Sequence, residues 1–242
     1  MPTRLVNVVV DARDPATLAR FWADLLGWEI TQGDATEVDV TAPAMDGWPL
    51  DLTFVPVSDP KTSVNPLHLD LPSISPTAQA ALVTKALSLG ASHVDIGQGE
   101  APWVVLADPE GNEFCALDPR PEYADTGAIA AIILNALDPG PLANFWAAAT
   151  DWPIVRDEPA FASLRSLTGR GPWLEFLRVP ALPPGKNRVH LDLAPRPGES
   201  QTAAVSRLLA LGASHVDIEQ GDAPWTVLAD PEGNEFCVLT PR

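Results

Sequence analysis

Apolar residues fall into two alternating periods along the chain, and the whole alternation occurs twice. Leu5–Val10 is a β-branched run that predicts a strand. Leu18, Phe21, Trp22, Leu25 and Leu26 then recur at helical spacing. Asp14 stands as their N-cap, Pro15 occupies the first helical position, and Gly27 sits where a C-terminal cap belongs. Shorter strands are expected around Glu37–Thr41 and Leu50–Val57, then at His68–Leu71. Thr77–Leu89 predicts a second helix, with Leu82, Ala86 and Leu89 on one face and Gly90 ending it. Two last strands, Trp103–Ala107 and Glu113–Leu117, are joined by Asp-Pro-Glu-Gly-Asn at 108–112, whose Pro and Gly suit a tight hairpin turn.

The second occurrence is close to literal. GASHVDI stands at 90–96 and at 212–218, and ADPEGNEFC at 107–115 and at 229–237, both offset by 122 residues. NPLHLDL at 65–71 and NRVHLDL at 187–193 share that offset, whereas the first helices, from Asp14 and Asp138, are offset by 124. A two-residue gap is therefore expected between the early and late halves of each copy. The copies are bounded at 1–122 and 123–242, and each contains two β-α-β-β-β half-modules, an arrangement suited to facing across a small-molecule cleft.

Composition narrows the partners. A net charge of −17 repels nucleic acid and anionic membrane surfaces, which need clustered Lys and Arg. No stretch approaches the ~18 apolar residues of a membrane span, and the N-terminal apolar run is too short for a secretory signal. Two cysteines give no disulfide framework, so a cytoplasmic location is expected. No Ser-His-Asp set, phosphate-binding Gly loop or CxxC pair supports a hydrolase, kinase or thiol-redox function.

Three repeated motifs carry a family resemblance: DPxxLAxFW on the first helix, N-x-x-HLDL on a strand, and ADPEGNEFC at the last hairpin. Together with the order of elements they resemble the vicinal-oxygen-chelate superfamily, in its glyoxalase-like and bleomycin-resistance-like branch. The resemblance implies an α+β fold of tandem glyoxalase-like domains, each of two βαβββ modules with a curved mixed sheet forming a cleft. It also implies metal ligands on the first, fourth, fifth and eighth strands of paired modules. Carried over, these positions fall on Asn7 and Ala131, on Asp51 and Glu175, on His68 and His190, and on Cys115 and Cys237. Alanine cannot coordinate, and asparagine is a weak donor, so no cofactor is expected. The alternative is a divalent Zn, Ni or Fe held by Asn7, Asp51, His68 and Cys115, serving a lyase, isomerase or dioxygenase that acts on vicinal oxygens.

The preferred expectation is a cleft that binds a small organic molecule. Its lining is predicted from His68, Asp51, Trp103, Cys115, His190, Glu175, Trp225 and Cys237, with Trp48 and Trp173 also near the clefts. His68 and His190 share a strand face with Asp70 and Asp192. His93 and His215 read as edge residues, the cysteines as inert buried groups, and the Asp108–Asn112 loop with its copy as turns. Sites could form within a copy or between copies; in the latter case Asn7 and Asp51 face His190 and Cys237. Duplication makes a pseudo-dimeric monomer or a homodimer the expected assembly.

Overall fold

In a computed structural model of the chain, residues 3–34, 36–47, 50–218 and 221–242 are described. Four βαβββ modules follow one another. The first comprises β1 (Arg4–Ala12), α1 (Pro15–Leu26), β2 (Glu29–Gly33), β3 (Val38–Thr41) and β4 (Asp51–Pro56). The second comprises β5 (Leu67–Leu71), α2 (Pro76–Leu89), β6 (Ser92–His93), β7 (Val104–Ala107) and β8 (Glu113–Ala116). The third has β9 (Ala131–Ala136), α3 (Pro139–Thr150), β10 (Ile154–Glu158), β11 (Phe161–Leu164) and β12 (Trp173–Arg178). The fourth has β13 (Val189–Ala194), α4 (Gln201–Ala210), β14 (Ser214–His215), β15 (Thr226–Ala229) and β16 (Glu235–Val238). Strand β2, exposed along its whole length, has no apolar alternation to announce it.

The modules pair in an order that the linear repeat does not display. One eight-stranded sheet runs β14-β15-β16-β13-β1-β4-β3-β2 and joins the fourth module to the first. The other runs β10-β11-β12-β9-β5-β8-β7-β6 and joins the third to the second. Each sheet therefore takes one module from each copy, sewn by the antiparallel pairs β1·β13 and β5·β9. No described helix is long and apolar enough to cross a membrane.

Strand alternation sorts the two faces of each sheet. Val8, Val10, Leu52, Phe54, Leu191 and Phe236 of the first sheet, and Leu69, Phe114, Ile132, Leu134, Leu174 and Phe176 of the second, join one shared core with the helices. Helix α1 starts at Asp14, whose carboxylate accepts from Thr17 N, and stops at Gly27, which takes the left-handed conformation. Its partner α3 starts without that side-chain cap, because Asp138 is held by Arg178 at 2.9 Å. Phe21 and Trp22 of α1 stack edge-on to Phe114 of the opposite sheet, as Phe145 and Trp146 of α3 do to Phe236.

The repeated Asp-Pro-Glu-Gly-Asn loops fasten those helices. Asp108 Oδ1 accepts from Glu110 N and Asn112 N, while Oδ2 accepts from Asn112 Nδ2 and from the indole of Trp22 at 3.2 Å. Glu110 accepts from Arg13 N and Asp14 N at the start of α1, at 2.7 and 2.8 Å. The copy repeats this: Asp230 accepts from Trp146, and Glu232 from Leu137 N and Asp138 N. The turn residues thus hold a helix from the other sheet.

Burial pushes the Asp108 carboxyl up to about 6, against the hydrogen bonds it accepts. Its unfolded value lies near 3.9. The contribution to stability is therefore full below pH ~4 and is lost as pH rises through ~6, about 3 kcal/mol at most. Asp108→Asn turns an N–H toward two donors and should cost about 2–4 kcal/mol in urea unfolding. That cost should be largest near pH 4 and smaller at pH 7; a cost that grows with pH would contradict the assignment.

Candidate functional site

The face of each sheet turned away from the shared core is polar, and register fixes which residues meet there. In the first sheet one row runs Cys237, Asp192, Asn7, Asp51 across β16, β13, β1 and β4. The next row runs His190, Val9, Thr53, Asp39. In the second sheet the rows are Cys115, Asp70, Ala131, Trp173 and His68, Ile133, Glu175, Ser163. Each row crosses the junction between copies. Of the two geometries open from the sequence, the structure has the one in which Asn7 and Asp51 face His190 and Cys237.

Register also separates two residues that the linear repeat aligns. Asp51 and Glu175 are 124 apart, but Asp51 stands beside Asn7 whereas Glu175 stands beside Ile133, one row further along. The counterpart of Asp51 is Trp173, and that of Glu175 is Thr53. The two-residue gap thus falls before the fourth strand of the module rather than between the half-modules. Each sheet nevertheless keeps one carboxylate–hydroxyl pair at this place with the roles exchanged. Thr53 donates to Asp39 at 2.7 Å in the first sheet, and Ser163 donates to Glu175 at 2.8 Å in the second.

The two faces differ in what their acceptors already hold. Glu175 also accepts from the hydroxyl of Tyr123 at 3.0 Å, so both its oxygens are occupied. Tyr123 lies in a one-turn helix, Pro121–Tyr123, between the copies; it packs with Val105, Cys115 and Ile133, and against Trp103 and Trp173. Arg156 and Arg165 lie over Trp173, each 5.0 Å from its ring centre, and Arg120 lies 5.6 Å from that of Trp103. In the first sheet, Asp51 accepts no side-chain hydrogen bond among the described residues, and Asp192 Oδ1 is buried without a partner. Asn7 Nδ2 reaches Asp192 Oδ2 at a long 3.4 Å.

Burial sets the charge states. It pushes Asp192 up to about 7 and His190 down to about 4, so both tend to neutrality. Burial, then the adjacent Asp70 and Asp192, pushes the thiols of Cys115 and Cys237 up, in keeping with cysteines inert as nucleophiles. Asp39 is raised by burial and then by Asp51, which marks the first face as crowded with acid.

The expected lining residues His68, Cys115, Glu175 and Trp103 meet on the second face, and His190, Cys237 and Asp51 on the first. Trp225 is 40% exposed just before β15, and Trp48 lies outside the described residues. His93 and His215 are exposed on two-residue edge strands. Sequence reasoning did not select Thr53, Asp39, Ser163 or Tyr123. Alternation along β3, β4 and β11 could have found the first three, but Tyr123 sits in an irregular linker with no period to betray it.

The four-position metal set of the family does not fit these residues. Ala131 offers no donor, Glu175 is committed to Tyr123 and Ser163, and Asn7 is turned to Asp192. In these rows, the unpartnered buried oxygens among the described residues belong to Asp70 and Asp192, which occupy none of the four positions. Tyr123→Phe should leave a Glu175 oxygen bare and cost about 1–3 kcal/mol by urea denaturation. A cost below ~0.5 kcal/mol would mean that this bond does not hold the linker on the sheet.

Comparison with known proteins places the chain. The glyoxalase-like domain family matches at residues 7–117 and again at 131–239. Glyoxalase I from Zea mays superposes with a TM-score of 0.65 at 16% identity, over 98% of this chain and 92% of that one. A protein of Bacillus subtilis subsp. subtilis str. 168, provisionally called a dioxygenase, gives 0.66 at 14% identity, over 99% of this chain and 86% of that one. No curated protein sequence matches. With nearly all of both copies matched and the four-module topology shared, the chain belongs to the glyoxalase-like domain family as a tandem, two-domain member of the vicinal-oxygen-chelate superfamily.

Proposed function

We propose that the polar face of the first sheet binds a small organic molecule, neutral or cationic and rich in N–H or O–H donors. The free carboxylate of Asp51 carries this reading; each face has one bare buried aspartate oxygen, on Asp192 and on Asp70, but the second face has Trp173 in place of Asp51 and its Glu175 is already filled by Tyr123 and Ser163. A buried acceptor without a partner is costly, and a ligand donor relieves that cost. Glu37, Asp39, Asp51 and Asp192 bear on this region, with Arg242 as the cation that bears on three of them. Anionic ligands are disfavoured by that balance, since like charges brought together in a low-dielectric cleft repel strongly.

In this reading Asp51 accepts from the ligand, Thr53 and Asp39 form a polar wall, and neutral His190 offers a ring nitrogen as donor or acceptor. Trp225, two residues before Val227 on the Cys237 side, supplies an aromatic edge. No step runs through the family's four-ligand metal, because Ala131 lacks a donor on the second face and Asn7, a weak neutral donor, is turned to Asp192 on the first. Sequestration or sheltering of the molecule is the function that this arrangement serves.

A tryptophan-fluorescence screen of small amines, polyols and carboxylates tests the reading. Amines or polyols should bind, and Asp51→Asn should weaken them at least ~10-fold, the loss of one charge-assisted hydrogen bond. Trp225→Ala should weaken them too. Binding by carboxylates alone, or affinity indifferent to both substitutions, would contradict it.

A further inference from the structure

One place near the edge of each sheet carries opposite chemistry in the two. Register sets Gln32 opposite Asp39 and Thr41 opposite Asp51 in the first sheet. In the second, Arg156 stands opposite Ser163, Arg165 follows β11, and Trp173 takes the place of Asp51. An acid with two neutral neighbours is thus exchanged for an indole with two guanidiniums, each 5.0 Å from its ring centre. Such a pair stands out in a chain with 15 Lys and Arg and a net charge of −17. Neither guanidinium has a hydrogen-bonded carboxylate among the described residues. Arg156 has Glu122 at 3.8 Å, beyond hydrogen-bond reach, and its side chain is 38% exposed. Arg165 is buried; its Nη2 donates to the carbonyls of Gly169 and Asp125 at 2.6 and 3.4 Å, and its Nη1 has no partner. Asp125 and Glu175 bear on it only through space. Glu175 is engaged by Tyr123 and Ser163, and burial raises its carboxyl toward the neutral form. A buried guanidinium so poorly compensated is costly, and an anion brought near it relieves that cost.

We propose that Arg156 and Trp173 form a site for a small organic carboxylate at the β10 edge of the second sheet. Arg156 offers a planar fork whose N–H groups match the two oxygens of a carboxylate, and contact with the indole holds that fork in place. Trp173 is itself fixed: its Nε1 donates to the carbonyl of Glu122 at 3.3 Å, and Tyr123 meets it edge-on with ring centres 6.3 Å apart. Little side-chain freedom is therefore lost when the anion binds. The half-buried indole also receives the apolar body of the ligand. Arg165, buried against the same ring, is a positioning residue: it adds a fixed positive charge whose field is strong in low-dielectric surroundings. Glu122 is the competing acid, held too loosely to close the approach. All three site residues belong to the third module, whereas His68 and Cys115 lie on β5 and β8, on the far side of β9. The inference does not rest on the ligand proposed for the first face, and the two sites take opposite charge.

The test is calorimetric titration of the whole chain with benzoate, benzyl alcohol and benzylamine, which share a ring and differ in charge. Benzoate should bind at least ~10-fold more tightly than benzyl alcohol, the effect of one charge-assisted hydrogen bond. Arg156→Gln should abolish that difference, whereas Arg156→Lys, which keeps the charge without the fork, should retain part of it. Glu122→Gln removes the competing acid and should tighten benzoate ~2–5-fold. Asp51→Asn should weaken benzylamine and leave benzoate unchanged, so this proposal and the reading of the first face fail separately. The proposal is overturned by equal affinity for benzoate and benzyl alcohol, by an Arg156→Gln variant that still prefers benzoate, or by loss of benzoate in Asp51→Asn. Where an Arg156 variant fails to fold, the tightening in Glu122→Gln decides.

Discussion

Two buried carboxylates, Asp108 and Asp230, hold the molecule in its arrangement. Each closes its own hairpin turn through backbone N–H groups, then spends its remaining oxygen on the indole of a helix that belongs to the other sheet. Trp22 and Trp146 can lie fully within the core only because their N–H groups find these acceptors. The adjoining Glu110 and Glu232 accept from the backbone where the same helices begin. The turn motif therefore does more than reverse the chain: it sets the position of α1 and α3 between two sheets.

With those helices filling the space between apolar faces, the polar faces must turn outward, and each is assembled from both copies. Duplication gives the two faces the same row of Cys and Asp and the same histidine one row away. Divergence then works on what surrounds them. One face carries Asn7, Asp51 and an acid-rich wall; the other carries Ala131 and Trp173, and is covered by Tyr123 of the linker, bonded to Glu175. The exchange of Thr53–Asp39 for Ser163–Glu175 shows how a polar pair survives while the carboxylate moves from one strand to its neighbour.

Much of the fold is legible in the sequence because local signals agree with it. Asp14, Pro15 and Gly27 bracket α1 as their chemistry requires, and the repeated HLDL alternation puts His190 and Asp192 on one face. Strand β2 is invisible because it buries nothing, and the cap at Asp138 is lost to Arg178, a contact between residues 40 apart. Module pairing is hidden for a deeper reason. β1 presents the same apolar alternation to β13 as it would to β5, so nothing local distinguishes a sheet built within a copy from one built between copies. The misalignment of Asp51 with Glu175 has a similar origin: residue counting cannot place a two-residue gap inside a loop, whereas hydrogen-bond register can. Tyr123 was out of reach because its partner, Glu175, stands 52 residues on.

The central claim is that both sheets, and hence both polar faces, are built by exchange of modules between copies. Sedimentation of residues 1–122 alone tests it most directly. The strands β1 and β5 of an isolated copy would each lack a partner, and two such chains could supply it mutually, β1 of one to β5 of the other. The account predicts a folded homodimer whose loss of structure depends on protein concentration. A folded monomer with concentration-independent stability would contradict it.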